Sequence, residues 1–510
     1  MTHTIDDQLL SQLSAFVTAR FGLHFPKKRW RDLERAITRA AGDFGFNDIT
    51  SCVRWLITAQ LTKSQLDTLV CRLTIGETYF FRERKSFDAL EAQILPALIS
   101  SRRGKEKRLR IWSAGCSTGE EAYSIAILLY RLIADLPQWN ITILATDVNP
   151  ASLCKAGRGE YSDWSFRGIP HWVKEKFFSR NAEGRFEVAD TIRKMVTFAS
   201  LNLADDPFPS LFNNTNAMDI IFCRNVLMYF APHQVKKVID NFHHSLMPGG
   251  WLIVSPCETS HILFRQFETV GFHEAIFYRK DSRRKSLTTP QPLEAIPGTS
   301  ASLPIPEAAS GTMRNPVFNP QPARPFHAPP IVQPAAKQRV SVFDEALALY
   351  AQGLYTDAAA KLTKLLTNGD GLDNNPPFGN AAALLARTLA NQGDFAAALE
   401  WSGRAIAVNK LDPEIRYLQA IIFQEQGEID AAVAALKQTL YLDQTFILAH
   451  FALANLFLGS GKIKEAVKHL KNAATLLVSY GDDDMLPGSE GMSSRRFSEI
   501  IAETMAKVVA

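Results

Sequence analysis

The apolar positions of this chain fall into three successive textures. Over residues 1–90 they return every three to four positions, as in LLSQLSAFVTARFGL (9–23) and the run from Trp55 to Leu73. That spacing predicts amphipathic helices with no alternating strand among them. From about residue 108 short apolar strands take over: RLRIWSA, ITILATD, MVTFAS, MDIIFC and WLIVSP. Helical patterns stand between them at 119–134, 150–157 and 232–246. Such alternation predicts an α/β fold, a mainly parallel sheet covered on both faces. Residues 171–198 fit it poorly. Their Asn-Ala-Glu-Gly (181–184) reads as a hairpin turn, which makes this stretch a small β excursion.

The third texture begins beyond a compositional break. Residues 281–340 hold 12 of the 26 prolines, and ordering such a segment buries too little apolar surface to offset its entropy. A disordered linker is expected there. Past it, Gly353, Gly393, Gly427 and Gly461 are spaced 40, 34 and 34 apart. Ala358, Ala398, Ala432 and Ala466 stand five residues after these glycines, and Ala346, Ala386, Ala420 and Ala454 seven before. A third alanine column appears at Ala405 and Ala473 but is broken by Leu365 and Thr439. Small residues at fixed phase let paired helices approach, and the glycine opens the turn between them. The pattern resembles tetratricopeptide repeats and predicts a C-terminal α-solenoid. The longer first interval implies an insertion at 368–379. The chain therefore divides into a helical N-terminal domain (1–90), an α/β domain (91–280), the linker (281–340) and the repeats (341–500).

Composition narrows the function. The 510 residues are 46% hydrophobic and 21% charged, with a net charge of +4, which does not suggest a nucleic-acid binder. Six cysteines form no CxxC pair, so free thiols in a reducing compartment are expected. MTHTIDDQLL lacks the features of a signal peptide, and no apolar run approaches a membrane span. A cytoplasmic protein is expected, one recruited to a membrane only through a partner.

The chemistry concentrates at strand ends. Ile111–Glu121 passes from a buried strand through the small-residue loop Ser113-Ala114-Gly115-Cys116-Ser117-Thr118-Gly119 into a helix. A ligand can approach such a backbone closely, but no Lys-Ser/Thr follows for phosphate. Glu120 and Glu121 open the helix. They favour its dipole and would repel a phosphate, so either they only cap the helix or a cationic, amine-bearing ligand sits there. Asp147 ends the second strand, where a carboxylate can accept hydrogen bonds from both hydroxyls of a ribose or simply close a turn. Together the two segments suggest a nucleoside without a phosphate requirement. Cys116 and Cys223 have apolar settings and read as packing residues. No cluster has metal-ligand spacing, and the adjacent His243 and His244 diverge on a helix.

WSAGCSTGEEAYSIAILL (112–129), ATDVNPASLCKAGRGEY (145–161) and DIIFCRNVLMYF (219–230) closely resemble the CheR-type chemotaxis receptor methyltransferases. ETYFFRERKSF (77–87) and SLNLADDPFP (200–209) resemble two further family segments. The resemblance spans roughly residues 10–280. It implies a doubly wound sheet that binds S-adenosylmethionine, preceded by an all-helical domain. It also implies methyl transfer to glutamate side chains of a methyl-accepting chemotaxis receptor. By the same resemblance Gly115 passes the cofactor over the first loop, and Glu120 or Glu121 meets its methionyl or ribose end. Asp147 holds the ribose, and Asn202 and Leu203 lie beside the adenine. Thr78 and Arg82 line the site, with Arg82 either pairing the cofactor carboxylate or orienting the substrate. Arg224, Asn225 and Tyr229 face the transferable methyl, although Arg224 reads equally as an anchor beneath the loop.

The chemistry agrees with this set. A glutamate side chain, with an ordinary pKa of about 4.3, is ionised at neutral pH, so no general base is required. What it needs is desolvation and in-line alignment with the methyl carbon and sulfur. Too strong a clamp on the carboxylate would stabilise the ground state, which favours Arg82 and Tyr229 as positioning donors without a covalent intermediate. Lys27, Arg31, Arg35 and Arg39 recur every four residues, either as a basic stripe suited to an acidic receptor helix or as a solvated face. The repeats suit a chemosensory protein partner. A cofactor-binding scaffold that recruits signalling proteins through those repeats is the competing function.

Overall fold

The first helices are set by their caps. In the computed structural model, which describes residues 5–104, 106–272, 275–281, 341–368 and 378–509, Asp6 accepts from the amides of Gln8 (2.8 Å) and Leu9 (3.0 Å) to start the helix Asp7–Phe21. Asp48 starts Ile49–Thr58, and a reciprocal Thr62–Gln65 box starts Lys63–Leu73. With Trp30–Asp43 these helices enclose Leu10, Leu13, Leu33, Ile37, Val53, Leu56 and Leu69, all fully buried. The basic stripe is interrupted. Lys27 belongs to a 3₁₀ turn, Lys27–Arg29, and pairs with Asp7 at 2.7 Å. Arg35 pairs with Asp32 at 2.5 Å, so a second member of the row has an acid beside it.

Among the described residues ten strands follow: β1 Arg108–Ala114, β2 Asn140–Asp147, β3 Glu160–Tyr161, β4 Phe178–Arg180, β5 Phe186–Val188, β6 Val196–Ser200, β7 Met218–Phe222, β8 Leu246–Ile253, β9 Glu268–Phe272 and β10 Ala275–Arg279. Seven form one sheet in the order β6-β2-β1-β7-β8-β10-β9, parallel from β6 to β8 and closed by an antiparallel β9–β10 pair. The order reverses between β1 and β7, and the carboxyl ends of those strands open a crevice there. β3, β5 and β4 make a separate small sheet; β4 and β5 fall within residues 171–198, and β3 precedes them.

The repeats are four helix pairs: Val342–Ala351 with Tyr355–Asn368, Phe378–Asn391 with Phe395–Val408, Pro413–Glu425 with Ile429–Leu442, and Ile447–Gly459 with Ile463–Leu477. Gly353, Gly393, Gly427 and Gly461 all take φ between 72° and 80° in the turns, where a side chain would be strained. The eight phased alanines are buried to 0–1% exposure. A last helix, Ser494–Val509, packs on the fourth pair. The linker and most of the 368–379 insertion lie outside the described residues.

The repeats do not stand apart. They join the sheet body in one compact unit. Arg108 and Arg110, set among the apolar residues of β1, are both buried because the repeats cover that end of the strand. The Arg110 guanidinium forms an ion pair with Glu425 and donates to the Asn214 carbonyl at 3.0 Å. Arg108 lies 4.4 Å from the Phe395 ring centroid, and Asn140 donates to the Glu425 carbonyl at 2.8 Å.

Removing one partner of a buried ion pair costs about 3–5 kcal/mol, whereas replacing both with apolar groups is often neutral. Arg110→Ala is therefore expected to lower the midpoint of chemical denaturation sharply, and Arg110→Met with Glu425→Leu to recover most of it. A single variant within about 1 kcal/mol of the parent would show that the pair behaves like an exposed one.

Candidate active site

The crevice is built from the first loop outward. After Ala114 the chain turns at Gly115 (φ +81°), where a Cβ would come within 2.4 Å of Val226 Cγ2. The amides of Gly115 and Cys116 donate to the Thr146 carbonyl at 2.8 and 2.9 Å, stitching the loop to the end of β2. Asp147 accepts from the amides of Ser117 (2.8 Å) and Asn149 (2.9 Å), one on each carboxylate oxygen. Each oxygen keeps a further lone pair. Burial raises the Asp147 carboxyl above the ordinary range, and these amides offset part of that.

Glu121 and Arg224 form the next layer. The Glu121 carboxylate accepts from Ser113 Oγ (2.7 Å) and Arg224 Nη1 (3.1 Å). Burial raises its pKa, against the pull of Arg224 and Ser113. Arg224 also pairs with Glu83 at 2.9 Å and donates to the Arg82 carbonyl. Its guanidinium is thus engaged by two acids and a carbonyl, the arrangement of an anchor beneath the loop. Phe81 (φ +54°) and Glu83 (φ +57°) are both held left-handed around Arg82, whose Nη1 donates to the Glu77 carbonyl at 2.6 Å. Ser117 (φ +50°) and Asn225 (φ +58°) share that conformation, so backbone strain gathers around one opening.

The opposite wall comes from the helical domain. His24 donates its amide to the Tyr229 carbonyl at 2.7 Å, and Arg29 lies 5.4 Å from the Tyr229 ring centroid. Asn202 donates to the Arg20 carbonyl at 3.2 Å. The result is a cleft of about 1110 Å³, counted out to its open mouth.

Thr78, Arg82, Gly115, Glu121, Asp147, Asn202, Leu203, Arg224, Asn225 and Tyr229 all line this cleft. Glu120 does not. It is buried, and its carboxylate accepts from Thr118 Oγ1 (2.6 Å) and Ser165 Oγ (3.0 Å), so of the two glutamates left open by the sequence it is Glu121 that lines the cleft. Adjacent residues on a helix point about 100° apart, so only one glutamate can face the opening. Cys116 and Cys223 are buried, and burial lifts their thiols well above the usual range, as packing residues require. Among the described residues no cluster is suited to a metal ion.

Sequence reasoning missed Glu258. Its carboxylate accepts from the amides of Asn225 (2.7 Å), Val226 (2.8 Å) and Met228 (3.2 Å) and from Ser255 Oγ (2.6 Å), so it shapes the whole 225–229 segment. The only local signal was Ser255 three residues before it, half of a capping box. His24, Phe25 and Arg29 were missed as lining residues because the connection between the first two helices, in which they lie, carries no motif.

The donor set fits an adenosine with a charged amino-acid end. Phe21, Leu73 and Leu203 give an apolar end, Asp147 offers free lone pairs to a diol, Gly115 leaves room for close approach, and Glu121 supplies negative charge. Ser117 Oγ is buried without a hydrogen-bond partner in the chain.

The family model described as CheR methyltransferase, SAM binding domain, matches residues 76–276. A chemotaxis protein methyltransferase of Borreliella burgdorferi is 33% identical over 252 residues, covering 49% of this chain and 87% of that protein. Chemotaxis protein methyltransferase 2 of Vibrio cholerae is 34% identical over 227 residues, covering 44% and 77%. Among solved structures, MamA is similar at 24% identity and a TM-score of 0.25, over 27% of this chain and 77% of that one.

Two outcomes follow from this geometry. Gly115→Ala forces a side chain into a left-handed position and against Val226, and is expected to weaken S-adenosylhomocysteine binding at least about tenfold, or 1.4 kcal/mol. Unchanged affinity by calorimetry would place the ligand away from the first loop. Asp147 must be ionised to accept two hydroxyls, and its raised pKa means it takes up a proton earlier as pH falls. Affinity should therefore decline on acidification from above the ordinary aspartate pKa of about 3.9. A flat profile through that range would remove Asp147 from the binding set.

Proposed function

The chain belongs to the CheR family of chemotaxis protein methyltransferases, with S-adenosylmethionine as methyl donor, and we propose that it esterifies specific glutamate side chains of a methyl-accepting chemotaxis receptor. The observation that carries this reading is convergence. Segments around 78–82, 115–121, 147, 202–203 and 224–229, far apart in sequence, line one cleft at the sheet's switch point.

When bound, the donor supplies an electrophilic methyl on a sulfonium. The residues of this chain hold and align. Asp147 takes the ribose hydroxyls, Asn202 and Leu203 flank the adenine, and Glu121 meets the cationic methionyl end. Arg224 acts one step back: it opposes the rise that burial imposes on the Glu121 pKa and orients that carboxylate, and its contacts with Glu83 and the Arg82 carbonyl fix the Thr78–Arg82 rim. Arg82 and Tyr229 position the incoming carboxylate. Arg29, stacked on Tyr229 and Phe25, adds a positive charge at the mouth without a two-point clamp on the substrate. The nucleophile arrives ionised, so a site without a catalytic histidine or thiolate suffices.

Arg31, Arg35 and Arg39 are exposed on the helix Trp30–Asp43, and an acidic receptor helix is the partner whose charge would complement that face. Work in the cytoplasm at receptor arrays is part of the same proposal; among the described residues no helix is long and apolar enough to cross a membrane. A chemosensory partner for the repeats is a separable part of the proposal.

The test is labelled methyl transfer to a purified receptor signalling domain, with the modified residue located by mass spectrometry. A base-labile ester on glutamate is expected; a base-stable product, or cofactor binding with no transfer, would overturn the reading. Arg82→Ala should cut transfer about a hundredfold, the cost of misplacing reacting groups by roughly 1 Å, while leaving thermal stability intact. Normal transfer by that variant would refute the role.

A further inference from the structure

The segment between β6 and β7 joins the cleft to the repeats, and it is tied down from both sides. Near its start the chain folds on itself. The amides of Asp205 and Asp206 donate to the Asn202 carbonyl at 3.1 and 2.9 Å, and the Asn202 amide donates to Asp206 Oδ2 at 2.7 Å. Asp206 is therefore the internal latch of the turn that presents Asn202 and Leu203 to the cleft.

That latch is held by the C-terminal helix. Arg496, in Ser494–Val509, donates through Nε to Asp206 Oδ1 and through Nη2 to Asp206 Oδ2, both at 2.9 Å. Nη2 also reaches the carbonyl (3.2 Å) and Oγ (3.3 Å) of Ser200, the last residue of β6. One oxygen of Asp206 thus serves both the Arg496 fork and the amide of a cleft-lining residue. Both side chains are largely buried, and Glu499 shares the guanidinium from its own helix at 3.0 Å.

The far end of the segment is gripped separately. Leu211 is buried in the repeat core, and its amide donates to Glu490 Oε2 at 2.9 Å while Tyr350 donates to Glu490 Oε1 at 2.7 Å. Phe212 meets the rings of Phe451 and Phe497 at centroid distances of 6.0 and 5.2 Å. Glue between two bodies can sit anywhere along their contact. Here it sits on the one carboxylate that orders the Asn202 turn.

We propose that the repeat body acts as an intramolecular brace for cofactor binding, with Arg496 as a positioning residue that sets the affinity for S-adenosylmethionine through Asp206 and the Asn202–Leu203 turn. The inference rests on the reading that this turn flanks the adenine. It gives the repeats a task inside the enzyme: whatever loosens the Ser494–Val509 helix lowers cofactor occupancy without touching the reacting groups.

The experiment is calorimetric titration of S-adenosylhomocysteine into the full chain carrying Arg496→Ala, Arg496→Lys or, as a control, Arg495→Ala, whose side chain is half exposed beside Asp483. Arg496→Ala should weaken binding about tenfold, within the usual range of coupling between sites, with Arg496→Lys intermediate and Arg495→Ala unchanged. At saturating donor, Arg496→Lys should retain its turnover, and in the free protein its Asn202 amide should exchange with solvent faster than in the parent. Should Arg496→Ala fail to fold, Arg496→Lys and the exchange measurement decide. Parent-like affinity and exchange in Arg496→Lys would overturn the brace, as would lost turnover at unchanged affinity. If the parent itself fails to bind S-adenosylhomocysteine, it is the cofactor reading that falls.

Discussion

One buried guanidinium holds the active site together. Arg224 follows β7, yet it reaches Glu121 on the helix after β1 and both Glu83 and the carbonyl of Arg82 on the rim. An unpaired arginine in that position would be prohibitively costly, and so would two acids without it. The pair of acids and the cation therefore fold as a set, and in doing so they bring three distant segments to one opening. Of the strained residues nearby, Phe81 and Glu83 flank the Arg82 carbonyl that this guanidinium holds, while Asn225 is fixed through its amide by Glu258.

Around that anchor each acid has a separate task. Asp147 is solvated by amides and keeps lone pairs for a ligand; Glu258 is saturated by amides and only shapes backbone; Glu120 is closed off by two hydroxyls. The chemistry asks for nothing more reactive. In the proposed reaction an ionised carboxylate attacks a sulfonium and needs exclusion of water and alignment; the helical domain contributes one wall of the cleft, through the His24–Tyr229 contact and the Arg29 stack.

The parts legible in the sequence were those encoded locally. Strand and helix periods, the repeat phase and the first loop all arise from residues near one another, and the alanine columns proved to be buried helix contacts. Less legible were features set by long-range contact. RLRIWSA read as an apolar strand, but Arg108 and Arg110 are buried because repeats far later in the chain cover them, with Arg110 meeting Glu425, 315 residues on. Glu120 and Glu121 could not be told apart because the helix entry angle depends on where Arg224 lies. Glu258 had no motif because its partners are backbone amides, which carry no residue identity. The basic row at 27–39 looked continuous, since the 3₁₀ turn that displaces Lys27 follows from Pro26 and the packing of Trp30.

The same long-range logic makes the protein more than an enzyme with an appended tail. The sheet places the cleft, the helical domain closes one side, and the repeats grip the segment that leads into the Asn202–Leu203 turn. The most direct test of this account is a crystal structure of the full chain with S-adenosylhomocysteine bound. The account predicts adenine against Leu203 and Asn202, ribose hydroxyls on Asp147, and the sulfur turned toward the opening beside Tyr229. A ligand seated in another cleft, or lying in this one with its sulfur turned away from Tyr229, would contradict it.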